Sequence, residues 1–241
     1  MQSLRPPVQM QPPRHSLVWL TPAGWDQVQA GAAQALVPVR DAIGRWHAAD
    51  WPLVVCRAVP AMLPGRIALG IALPPDEFGN KPRISTTIEL TEIRHQTPPL
   101  SLQAVLQNAP PHWRAGLLAL QLQAAELSLE LRVFGSLAWQ TLTGMPYLRA
   151  SSDIDLLMVP ASSSALSAGL VLLTLHAGVL PLDGEIVFPS GAAVAWKEWR
   201  GVAAAAGVDG SGSVLVKHGD RVSLASCASL LTALDTAPCS R

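Results

Sequence analysis

The sequence predicts a mixed α/β (α+β) protein of two domains, with its chemistry in the second. Three observations carry that reading. Short strand-like runs, Leu53–Arg57, Arg66–Leu73 and Arg83–Leu90, are separated by prolines and an exposed loop in the first part of the chain. Helical spacing gives way near Ser128 to period-two alternation at Leu129, Leu131 and Val133. The stretch from Val133 to Leu157 then reads as strand, tight turn, helix and a second strand carrying Asp153 and Asp155. At 241 residues the chain can hold one large domain or two of about 100–150 residues.

Residues 1–14, with Pro6, Pro7, Pro12 and Pro13, read as a flexible leader that lacks the apolar core of a signal peptide. An accessory α+β domain is expected over 15–97. It holds a strand at Ser16–Leu20, a helix from Trp25 to Ala35, the three strand-like runs above and an exposed loop at Asp76–Lys81. Gln96–Leu100, with Pro98-Pro99, reads as a linker. The catalytic domain, 98–241, starts with a helix at Ser101–Gln107, then one from Trp113 to Glu126 opened by Pro110-Pro111. After the aspartate-bearing strand come a helix at Ser164–His176 and strands at Gly184–Phe188 and Ala192–Trp196. A loop or weak helix at Gly201–Ser213 and a hairpin from Val214–Val216 to Arg221–Leu224 complete it.

Net charge is zero and the pI near 7.0, which argues against a nucleic-acid binder acting through bulk electrostatics. Arginine is plentiful, but lysine occurs only at Lys81, Lys197 and Lys217; codon usage accounts for such a bias without function. Cys56, Cys227 and Cys239 have no metal-ligand spacing and read as reduced thiols of a cytoplasmic protein. The uncharged stretch from Ala161 to Leu182 is long enough to span a bilayer. Its serines, His176 and Pro181 make it a buried amphipathic helix instead, with no membrane role.

Strand side chains alternate faces, so Asp153 and Asp155 point the same way. Two like charges held that close favour a cation between them. Two carboxylates on one face can bridge divalent metals in an in-line displacement. The bland alternative is a capped turn at a strand edge. Gly135-Ser136, at a strand-to-helix junction, suits phosphate oxygens because glycine permits close approach and the first helical amides are unpaired. Taken alone it is also a turn with an N-cap serine. A third carboxylate should arrive on a later strand. Glu185 is the candidate; Asp183 is the reserve, read more simply as the turn residue of an Asp-Gly pair. Lys197 and Arg200 follow, placed to meet phosphate or solvent, and Arg149 has the same ambiguity. Trp139 and Trp196 are read as packing before adenine stacking.

Gly-Ser, then Asp-x-Asp, then a later strand acid is a pattern that resembles the nucleotidyltransferase superfamily with a polymerase-β-like palm. The wording is closer still to one family. Phe134-Gly135-Ser136-Leu137-Ala138-Trp139-Gln140, Leu142-Thr143-Gly144, Tyr147-Leu148 and Ser152-Asp153-Ile154-Asp155-Leu156-Leu157 resemble the malonate decarboxylase holo-acyl-carrier-protein synthases, which are phosphoribosyl-dephospho-CoA transferases. Arg14–Leu20, Trp51–Val55 and Val194–Trp199 are similar to the same family, so the likeness spans most of the chain. Sixteen residues lie between Ser136 and Asp153, and the extension at about 143–150 resembles that family's own.

The resemblance implies a palm in the C-terminal half and transfer of 2′-(5″-phosphoribosyl)-3′-dephospho-CoA from its triphosphoribosyl precursor. The acceptor it implies is a serine of the apo acyl carrier protein of malonate decarboxylase, with release of pyrophosphate. On this expectation Asp153, Asp155 and Glu185 are the catalytic and metal-holding set for Mg²⁺, as a pair of ions. Gly135, Ser136 and Lys197 hold phosphates, and Glu185 also serves as proton acceptor. The N-terminal domain would shape the dephospho-CoA site or dock the carrier, with Arg40, Arg45, Arg57, Arg66 and Arg83 available. Two other readings remain open: an ATP-dependent nucleotidyltransferase, and an inactive carrier-binding module.

Overall fold

The computed structural model describes residues 11–59, 61–206 and 212–236. Most of the leader therefore lies outside the described residues. The chain divides into two units: one runs up to Leu73 and resumes over Pro82–Pro98, and the other joins Pro74–Lys81 to the chain from Pro99 onward.

The first unit contains β1 (Leu17–Leu20), α1 (Pro22–Gly31), α2 (Val37–Ala48), β2 (Leu53–Val55), β3 (Arg66–Ala72), β4 (Arg83–Glu89) and β5 (Ile93–Thr97). The strands form one antiparallel sheet in the order β4-β3-β2-β1-β5. Thr21 starts α1: its Oγ1 accepts from Gly24 N at 3.0 Å, and Pro22 supplies a first-turn residue with no amide to satisfy. Trp25 of α1 stacks on His47 of α2, with ring centroids 4.7 Å apart.

The second unit contains β6 (Leu100–Ser101), α3 (Leu102–Val105), α4 (Pro111–Glu126), β7 (Glu130–Phe134), α5 (Gly135–Thr143) and β8 (Ile154–Val159). It continues with α6 (Ser163–His176), β9 (Leu182–Val187), β10 (Ala193–Ala195), α7 (Trp196–Ala206), β11 (Ser213–Lys217), β12 (Val222–Ser226) and α8 (Cys227–Thr236). Its seven strands follow the order β12-β11-β10-β9-β8-β7-β6, antiparallel except for the β8–β9 pair, which α6 connects as a crossover. Alternation sorts the two faces of this sheet. Leu131, Val133, Ile154, Leu156, Met158, Leu182, Ile186, Val194, Val214 and Val216 join the core with α4, α6 and α8. The intervening residues, Asp155, Asp183, Glu185 and Lys217 among them, belong to the opposite face.

One helix is added and three local expectations are corrected. Helix α2 is absent from the sequence reading because its buried stripe is narrow, Ala42, Ile43 and Trp46, and Gly44 lies within it. The stretch read as a linker holds the end of β5 and the start of β6, leaving only Pro98-Pro99 between two sheets. Trp196 begins a helix instead of ending a strand, so α7 takes in Gly201–Ala206; residues 207–211 of the expected loop lie outside the described residues. Asp183-Gly184 is not a turn but the middle of β9. Gly184 has φ +132°, and a Cβ there would stand 1.9 Å from the Leu156 carbonyl oxygen. The glycine is there for the close approach of two parallel strands.

That approach is testable. Gly184→Ala is expected to cost at least about 3 kcal/mol, since it adds backbone strain to a direct collision inside a central pair of strands. Urea denaturation would show a midpoint well below wild type; an unchanged midpoint would mean the strands can part without loss.

Candidate active site

Antiparallel pairing sets Phe134 of β7 opposite Asp155 of β8, and the chain turns into α5 at Gly135 in the next step. Gly135 has φ +70°, and a Cβ on it would lie 1.9 Å from Asp155 Oδ2. The carboxylate therefore rests against the backbone at the N-terminus of α5, where helical amides have no partner within the helix. Ser136, next along, is buried. On its other side β8 pairs with β9, with Asp155 opposite Asp183 and Leu157 opposite Glu185. Asp153 immediately precedes β8.

These acids act on one another. Burial pushes Asp155 from the ordinary 3.8 up to about 7; the charge of Asp153 adds to the rise, Lys81 opposes it, and Asp183 and Glu185 raise it further. Two lysines answer the acids of β9. Lys217 Nζ lies 2.8 Å from Glu185 Oε1, whose side chain is 8% exposed, and Lys197 Nζ lies 3.6 Å from Asp183 Oδ1. Glu185 is thus the deeper acid, bound to a cation, while Asp183 is the half-exposed one facing Asp155. The sequence reading did not single out Lys217 or Lys81. Its only signal for them was the scarcity of lysine, and all three lysines of the chain turn out to act on this one acidic cluster.

The segment between Gly144 and Asp153 is tied down at several points. Gly144 closes α5 in the left-handed region, with its amide on Gln140 O at 2.9 Å. Gln140 Oε1 accepts from Tyr147 N at 3.2 Å and Leu148 N at 3.1 Å. Ser152 Oγ accepts from Arg149 N, and Ser152 N donates to Arg149 O, both at 2.9 Å. The Arg149 guanidinium donates to the Asp76 carbonyl, so its role here is to hold a loop. Arg200 stacks over Trp196 at 5.3 Å, and both Trp196 and Trp139 are buried as packing residues. His176 is buried at the end of α6, with Nε2 3.0 Å from Gln123 Oε1. Cys56 and Cys227 are free thiols, and Cys239 lies outside the described residues. Among the described residues no helix is long and apolar enough to cross a membrane.

Among the described residues no three His, Cys, Asp or Glu side chains form a ready-made metal cage. The donor chemistry still suits a hard cation: Asp155 sits in an excess of negative charge, and Mg²⁺ usually takes one or two carboxylates plus substrate phosphates. Arg57 and Arg66, two of the arginines named above, line a separate cavity of about 820 Å³ within the first unit, and Arg66 Nη2 donates to Thr87 O at 2.6 Å.

Residues 101–228 match the family model for the C-terminal domain of phosphoribosyl-dephospho-CoA transferase MdcG, and residues 13–99 match the model for its N-terminal domain. A phosphoribosyl-dephospho-CoA transferase of Xanthomonas campestris pv. campestris (strain 8004) is 39% identical over 211 residues, 86% of this chain and 91% of its own length. One of Bradyrhizobium diazoefficiens is 34% identical over 221 residues, 88% of this chain and 89% of its own. One of Pseudomonas putida (strain W619) is 33% identical over 198 residues, with 80% and 86% covered. No solved structure matches the chain.

The raised Asp155 has a consequence for stability. Between pH 3.8 and about 7 the folded protein keeps a proton that the unfolded chain releases. Asp155 therefore favours folding most at low pH, and that contribution falls as pH rises across this interval. In metal-free protein the fall should be weaker in Asp155→Asn, which cannot ionise. Thermal melts from pH 4 to 8 measure it; parallel wild-type and variant curves would contradict the assignment.

Proposed function

We propose that this chain, which belongs to the phosphoribosyl-dephospho-CoA transferase family, attaches a prosthetic group to a carrier protein. The donor is 2′-(5″-triphosphoribosyl)-3′-dephospho-CoA, and the acceptor is a serine of the apo acyl carrier protein of malonate decarboxylase. The catalytic unit is read as a nucleotidyltransferase palm. The observation that carries the chemistry is the Asp155 carboxylate set between the N-terminus of α5 and Asp183, with Asp153 adding to its charge.

In the transfer, the serine oxygen bonds to the donor's α-phosphorus and the anhydride bond to the β-phosphate breaks. Pyrophosphate leaves with the electron pair, and a carboxylate of the cluster takes the serine proton. Asp153 and Asp155 would hold Mg²⁺, which when bound neutralises charge on the reacting and departing phosphates. Register favours Asp183 as the third ligand over Glu185, which the sequence pattern put first; Glu185 then serves as the anchor of Lys217. Gly135 and the α5 amides seat phosphate oxygens, with Ser136 and Lys197 beside them.

Asp153→Asn and Asp155→Asn should each lower transfer on the order of a thousandfold. The readout is mass spectrometry of the carrier after incubation with enzyme, Mg²⁺ and donor. Transfer from ATP but not from the triphosphoribosyl donor would defeat the reading. Assayed side by side, Asp183→Asn should be the more damaging of the two β9 variants and Glu185→Gln the less; the reverse order restores Glu185 as ligand.

A metal-holding carboxylate must be ionised, so Asp155 predicts a pH profile. At low Mg²⁺, kcat/KM should rise with pH to a midpoint near 7. Raising Mg²⁺ should move that midpoint downward, because the cation competes with the proton. A midpoint indifferent to Mg²⁺ would speak against Asp155 as ligand.

A further inference from the structure

Residues 74–81 join β3 to β4, two neighbouring strands of the first sheet, yet they cluster with the second unit. Such hairpin connections commonly take two to five residues or so. This longer loop is internally closed. Asp76 Oδ1 accepts from Phe78 N at 3.0 Å and Asn80 N at 2.8 Å, Oδ2 accepts from Asn80 Nδ2 at 2.9 Å, and Asp76 N donates to Asn80 O at 2.9 Å. Gly79, at φ +89°, leaves room for Arg149: a Cβ would come within 3.0 Å of its Nη1. The same guanidinium donates to the Asp76 carbonyl, and the backbone of Arg149 is locked to Ser152, next to Asp153. A loop closed on itself is thereby fastened to the segment that leads into the acidic cluster, and Lys81 is its last residue.

Lys197 and Lys217 each stand beside a carboxylate of β9. Lys81 is exposed and makes no ion pair among the described residues, while its charge acts on Asp155. A compact ammonium within electrostatic range of Asp155, and not spent on a carboxylate, suits a polyphosphate.

We propose that Lys81 is a phosphate-binding residue of the transferase site, delivered by the 74–81 loop, with Arg149 as the positioning residue that pins the loop. This rests on the reading of the site as one that takes a triphosphate donor. Lys81 binds oxygens of the part that departs as pyrophosphate, alongside Lys197.

The test uses the full chain, the triphosphoribosyl donor, apo carrier protein and Mg²⁺, with inorganic tripolyphosphate as a competing probe. Lys81→Met should raise KM for the donor and the inhibition constant of tripolyphosphate about tenfold or more, leaving KM for the carrier and the melting temperature near wild type. Lys81→Arg should recover much of the loss. Arg149→Ala should reproduce part of the defect, and combining it with Lys81→Met should add little, since both remove one interaction. Unchanged donor KM and tripolyphosphate inhibition in Lys81→Met would overturn the proposal while leaving the function intact. Failure of wild type to transfer from this donor would instead remove the functional reading, and the proposal with it.

Discussion

Asp155 occupies space that any residue other than glycine at position 135 would fill. Around that contact the second unit is ordered: β7 must end one residue earlier, α5 must begin there, and β8 must run antiparallel to β7 so that Phe134 and Asp155 meet. On the other flank Gly184 lets β9 come close to β8, bringing Asp183 opposite the same carboxylate. Two glycines with positive φ thus bracket one acid, each serving a different neighbour.

Such an arrangement is electrostatically expensive. Burial and neighbouring acids drive Asp155 toward neutrality, and lysines placed at three separate points of the chain counter the charge. Lys217 meets its acid at close range and low exposure, where a charge pair is sensitive to the loss of either member. Lys197, half-exposed and 3.6 Å from Asp183, is held more loosely. The cluster therefore grades from a fixed ion pair inside to a looser cation outside.

Much of this was legible in the residues. Period-two alternation located β7 and Pro110-Pro111 located the start of α4, and the ranges expected for α6 and for the late hairpin lie within a few residues of those observed. The Gly-Ser and Asp-x-Asp spacing located the junction where Asp155 sits. What escaped was set by tertiary contact. An Asp-Gly pair means a turn unless another backbone presses against the glycine, as Leu156 does at Gly184. Helix α2 buries too few residues to announce itself, and α8 was not anticipated at all. Lys81 lay in a stretch correctly read as an exposed loop, but its place in the second unit depends on Arg149, 68 positions further along the chain by the numbering. Local patterns carry no information about such a partner.

The loop also changes what a domain means in this chain. The second unit is discontinuous: eight of its residues, 74–81, are encoded between two strands of the first. A fragment beginning at Pro99 would contain both halves of the Gly-Ser and Asp-x-Asp pattern, and nothing in its sequence would look missing. It would nonetheless leave Arg149 without the carbonyl it holds and Asp155 without one of its cations. Any transplant of the second unit must carry the β3–β4 connection with it.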